Sequence, residues 1–143
     1  MSGQTDLQTL LATLQPTLSE TEFGFATVAD PDVAAGIAGV IATFMEEEGL
    51  SLVAPAASLA GSGIPHSPGW AKISLKVHSS LSAVGLTAAL ASALADKGIS
   101  ANIIAAYHHD HFFVPWTQRH QALAILGTLV AAASCANNTP APH

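Results

Sequence analysis

The chain has 143 residues, enough for one compact domain or for two small half-domains sharing a core. Half of the residues are hydrophobic and a tenth are charged, so the core is generous and the surface leaves apolar area for self-association; a homo-oligomer, most simply a dimer, is expected. The formal net charge is −6 and the fixed cations are Lys72, Lys76, Lys97 and Arg119, too few to displace counterions from nucleic acid or to hold an anionic membrane surface.

Thr5 and Gln8 have the spacing of a capping box, and Leu7, Leu10, Leu11 and Leu14 follow at helical intervals until Pro16. Phe23–Val28 alternates as a strand, closed by turn chemistry at Asp30-Pro31-Asp32. Ala34–Glu48 is ambiguous. Ile37, Ile41 and Phe44 suit a helix, but Gly36 and Gly39 would each cost it about 1 kcal/mol. Strands at Val40–Glu46 and Leu50–Val53, turning at Glu47–Gly49, are the preferred reading.

A short helix is expected at Ala56–Ala60 and a loop at Pro65–Gly69. Ala71–Val77 alternates cleanly, with Ile73, Leu75 and Val77 on one face and Lys72, Ser74 and Lys76 on the other, as a half-buried strand does. A loop from Ser79 to Gly85 leads into a helix, Leu86–Lys97, stopped by Gly98. Ile103–Tyr107 reads as a strand, His108–His111 as a tight connection and Phe112–Trp116 as the hairpin partner. Gln118–Ala133 is a last helix with Leu123, Leu126 and Val130 inward. The remaining tail, 134–143, has nothing to bury and is expected to be disordered.

The single cysteine, Cys135, precludes an intramolecular disulfide and a cysteine-based zinc cage. It has no cationic neighbour in sequence and is not a reactive-thiol candidate. Met1–Asp6 lacks the pattern of a secretory signal, and no apolar run approaches the roughly 20 residues of a membrane span. The cytoplasm is the expected location, where the Asn137-Asn138-Thr139 glycosylation triplet has no meaning.

The order strand, loop, helix, Gly-Ile, strand resembles the ACT-domain family. Val84-Gly85-Leu86 is similar to the family's helix approach, and Lys97-Gly98-Ile99 followed by Asn102-Ile103 to its helix exit. Three longer stretches resemble a stand-alone ACT-like group: Thr43–Leu52, Val77–Ala88 and Tyr107–Pro115. Met45 departs from the group's pattern, standing where arginine is usual, which puts in doubt any ion pair or anion contact of that arginine. Ala101 and Ile104 are conservative variants. The resemblance covers about residues 5 to 130.

It implies an α+β, ferredoxin-like fold of βαββ units with helices on one face of antiparallel strands. It also implies two ACT-like halves: 1–66 with the N-terminal helix, and 67–133. Such domains bind an amino acid or a related small metabolite, usually against the first loop and helix start, and are regulatory rather than enzymatic.

The candidate ligand-binding residues are His78, Ser79, Ser80, Leu81, Ser82, Val84, Gly85, Leu86, Thr87, Asn102, His109, Asp110 and His111. Amides at a helix N-terminus attract a carboxylate, the serines and Thr87 add hydroxyls, and Gly85 lets a ligand approach the backbone. The bland alternative is that one serine caps the helix and the others face water. His109 and His111 fall on one face of a strand and could converge with His78 on zinc, copper or nickel. Alternatively Asp110 takes the bend of a hairpin and the histidines meet carbonyls or solvent. No cofactor is required. A rival reading is an enzyme whose His109-Asp110-His111 group holds a metal or a general base; a third is an interaction module with no small-molecule ligand.

Overall fold

The computed structural model describes residues 15–76 and 83–138, apart from the side chains of 83, 84, 86 and 132–138. The helix expected at the N-terminus, together with His78, Ser79, Ser80, Leu81 and Ser82, lies outside the described residues. The class is α+β, as expected. The chain forms two compact units, one spanning Ser19–Lys72 and the other joining residues 15–18 to the chain from Ile73 onward.

In the first unit the strands β1 (Thr17–Val28), β2 (Ala42–Glu46) and β3 (Gly49–Pro55) lie in the order β2-β3-β1, with both pairings antiparallel. Residues 34–48 therefore resolve mainly as the hairpin reading required. Gly49 makes that hairpin possible: its φ is +151° and a Cβ there would come within 2.7 Å of the Val28 carbonyl oxygen. The bend at Asp30 becomes the N-cap of a short helix, α1 (Pro31–Ala35), with Asp30 Oδ1 accepting from the Asp32 amide at 2.9 Å. Helix α2 (Ala56–Gly61) is the one expected. Val28, Ile37, Leu50, Leu52, Ala54 and Leu59 close the core of this unit.

β1 and β4 (Ser67–Lys76) run longer than expected. β1 starts at Thr17, and its added residues are largely polar and lack an apolar alternation. β4 takes in Pro68 and Gly69, where a loop was expected. In both, tertiary pairing carries residues of poor strand propensity.

In the second unit the later part of β4, then β6 (His109–Pro115) and β5 (Asn102–Ala105), lie in the order β4-β6-β5. β5 and β6 are antiparallel, with Asn102 opposite Phe113 and Ile104 opposite His111. Helices α3 (Ala83–Asp96) and α4 (Arg119–Asn138) touch each other, and α4 touches β6. A single 3₁₀ turn, Trp116–Gln118, leads into α4, which runs past the expected end at Ala133.

The end of α3 shows how sequence sets geometry. Gly98, at φ +73°, lets the Ile99 amide reach back to the Leu94 carbonyl at 3.0 Å and its own amide reach Ala95 at 2.9 Å. This is the Schellman pattern, and Leu94 and Ile99 are both buried beside it. Ile73, Leu75, Leu90, Phe112, Val114, Ala122 and Leu126 are the other large contributors to this core.

His108–His111 is not the connection between β5 and β6. The turn lies at Ala106–His108, closed by the Ala106 amide donating to the His109 carbonyl at 2.9 Å. Asp110 therefore takes no bend; it sits inside β6 and is buried, with 8% exposure. Phe112, Phe113 and Val114 make a buried apolar run, and the ladder follows that run back to His109.

Candidate functional site

Placing the histidine segment in a strand divides its side chains between two faces, because successive residues alternate. Asp110, Phe112 and Val114 face one way, His109, His111 and Phe113 the other. Contacts confirm the division. The Thr87 hydroxyl on α3 donates to Asp110 Oδ2 at 3.5 Å, whereas His111 Nδ1 is hydrogen-bonded to the Ser74 hydroxyl on β4 at 2.7 Å. Asp110 is thus on the helix side of the sheet and the two imidazoles are on the other. The three residues do not form one cluster, and Asp110 is not placed to orient either histidine as a general base.

On the helix side the polar group is small. Thr87 is half-buried in the second turn of α3, and its bond to Asp110 is at the long limit of a hydrogen bond. Gly85, in the first turn of the same helix, has an ordinary helical φ, and a Cβ built there meets no described atom within 4 Å. Neither backbone conformation nor packing among the described residues requires glycine at 85. Val84 and Leu86 flank it on the helix.

On the opposite side, Ser74 and Lys76 from β4 stand beside His109 and His111 from β6. With Gln15 and Thr17 they line a groove of about 310 Å³, at the small end for ligand sites. The His109 and His111 ring centroids are 6.0 Å apart and tilted by 33°. Among the described residues no three His, Cys, Asp or Glu side chains converge as a metal site would need. Asn102, exposed at the start of β5, shares this sheet face through its pairing with Phe113.

Of the residues named from sequence, the structure joins Thr87 to Asp110, places Gly85 nearby on the same helix, and brings His109 beside His111. It does not join those two groups. Gln15, Thr17, Ser74 and Lys76 were missed. For the last two a signal existed, since Ser74 and Lys76 form the polar face of an alternating strand. What was needed was the knowledge that this face lies against His109 and His111.

Glu46, Glu47 and Glu48 are exposed around the β2–β3 turn, with a hydrogen bond from the Ser51 hydroxyl to Glu46. Trp70 packs edge-on against Phe25, and Arg119 stacks over Trp116 at 3.8 Å. Among the described residues no helix is long and apolar enough to cross a membrane.

Two family models, both of the ACT domain, match the chain, one over residues 2–68 and the other over 66–128. Among solved structures, a Vibrio cholerae protein of unknown function, described as a possible transport protein, is 42% identical. The match covers 90% of this chain and 99% of that one, with a TM-score of 0.82. An Agrobacterium tumefaciens protein is similar over 82% of this chain and 89% of its own, at 17% identity and a TM-score of 0.67. The ligand-free regulatory subunit of aspartate kinase from Thermus thermophilus is similar over 80% and 95%, at 15% identity and a TM-score of 0.57. The last two show the fold alone. No curated protein matches the chain.

Proposed function

The chain belongs to the ACT-domain family, and from that membership we propose that it is a regulatory or sensor protein that binds a small metabolite, an amino acid. The observation that carries this reading is Asp110. It is a carboxylate with 8% exposure, in contact with the first half of α3 and hydrogen-bonded to Thr87 at 3.5 Å. A buried carboxylate is costly unless strongly paired, and a 3.5 Å hydroxyl is a weak partner. A ligand ammonium is a strong one. An α-amino acid supplies that ammonium and also a carboxylate suited to the positive end of a helix. Gly85 leaves the backbone open at that end. The regulatory part of the reading rests on the family membership.

Self-association is the proposed way of transmitting the binding event. It is supported by the apolar side chains exposed on and next to the edge strand β2, where Phe44 is 73% and Met45 63% exposed, with Ile41 beside them. The cytoplasm is the compartment we propose.

The test is a thermal-shift screen of the purified chain against the amino acids. A ligand at 100 times its dissociation constant stabilises the native state by about 2.7 kcal/mol, or roughly 5–10 °C for a chain of this size. A shift with one amino acid or a small related group, lost in Asp110→Asn, is expected. A flat response to all of them would leave an interaction module as the better reading.

A further inference from the structure

The groove on the sheet face away from α3 plays no part in that function, yet its lining is chemically consistent. Among the described residues six side chains line it: Gln15, Thr17, Ser74, Lys76, His109 and His111. All six are polar, every one can present an N–H or O–H donor, and none is a carboxylate. In a chain of formal charge −6 that is an unusual concentration of one kind of group. Asp110, the carboxylate nearest in sequence, faces the other side of the sheet.

The cations of the chain are also unequally employed. Lys72 lies 5.5 Å from the Phe23 ring centroid and Arg119 lies 3.8 Å from that of Trp116. Lys76 lines the groove instead. The 2.7 Å bond between Ser74 and His111 fixes one imidazole against β4, and the i, i+2 spacing on β6 sets the second beside it. β4 and β6 thus supply four of the six described donors, Thr17 begins β1, and Gln15 precedes it.

We infer that this groove is a second ligand site, one that takes a small oxyanion: the phosphate or carboxylate group of a metabolite. Lys76 supplies the fixed charge, the imidazoles and hydroxyls supply directed hydrogen bonds, and Gln15 closes one side. The volume of about 310 Å³ admits a small metabolite and is too small for a peptide. A metal is the poorer occupant, because among the described residues two imidazoles are the only His, Cys, Asp or Glu side chains on this lining.

The test is an NMR titration of the full chain, observing the histidine ring resonances at constant pH and ionic strength. Inorganic phosphate and malonate are the probes, and sodium chloride is the control. Saturable movement of the His109 and His111 signals is expected, with His66 and His120 unmoved. Lys76→Gln should weaken the apparent affinity by about tenfold or more, and Lys76→Arg should restore most of it. Lys76 is exposed, so neither change threatens folding. Asp110→Asn should leave the titration unchanged, which separates this site from the one on the helix side. Saturation by phosphate alone identifies a phosphate-bearing ligand, and saturation by malonate alone a carboxylate. Equal movement with sodium chloride, uniform movement of all histidines, or an unchanged affinity in Lys76→Gln would overturn the assignment. So would stoichiometric zinc saturation of the same two rings with both anions inert.

Discussion

Replacing Asp110 with asparagine is the most direct probe of the amino-acid reading. The substitution keeps the side chain's shape and its acceptor oxygen toward Thr87, and removes the charge. Because the Thr87 bond is 3.5 Å long, little native stability rests on it, and losing a weakly paired buried charge should leave the unliganded protein at least as stable as the wild type. The liganded complex should be weakened instead. Truncating one partner of a buried, hydrogen-bonded charge pair costs about 2–5 kcal/mol. With Asp110 at 8% exposure the lower part of that range applies, about 2–4 kcal/mol. That converts to a rise in dissociation constant of roughly 30-fold to several hundred-fold. Isothermal titration calorimetry with the amino acid found by thermal shift gives the number. The des-amino analogue of that ligand completes a double-mutant cycle: it should bind the wild type weakly and lose little further in Asp110→Asn. Affinity within twofold of wild type, in a protein whose melting temperature is no lower, would refute ammonium recognition by Asp110.

Three further outcomes follow from the geometry. Gly85→Leu should fold with a normal melting temperature, since a Cβ at 85 meets no described atom, yet lose ligand binding by calorimetry; retained affinity would remove Gly85 from the site. Gly98→Ala places a Cβ at φ +73° and should cost about 1–2 kcal/mol in chemical denaturation, with no change in the m-value. Leu126→Ala empties a fully buried position and should cost about 2–5 kcal/mol by the same assay; a loss below about 1 kcal/mol would mean that α4 does not close the core of its unit.

The elements whose limits could be read from sequence are those whose own residues impose them. Ile73 and Leu75 alternate with Ser74 and Lys76, so β4 announces itself by period. Gly98 tolerates the left-handed conformation that the end of α3 needs, so that helix stops where the residues say it must. The hairpin of β2 and β3 is the preferred of two readings, because Gly36 and Gly39 count against a helix; that a Cβ at Gly49 would meet the Val28 carbonyl is seen only in the structure. Other limits are set by partners distant in the chain. Pro68 and Gly69 are poor strand residues, yet β4 includes them. Likewise Thr17–Glu22 has no apolar alternation and still extends β1.

The candidate site divides along the same line. Sequence determined which residue types were present and offered a shared face for His109 and His111 as one of two readings, the other being a bend at Asp110. It did not determine where the hairpin turns. Moving the turn from His108–His111 to Ala106–His108 carries Asp110 out of the bend and onto the opposite side from both imidazoles. Which neighbours each side then acquires, Thr87 for Asp110 and Ser74 for His111, belongs to the tertiary structure. Those contacts join residues 23 and 37 positions apart, and only the packing of α3 and β4 against β6 brings them within hydrogen-bonding distance.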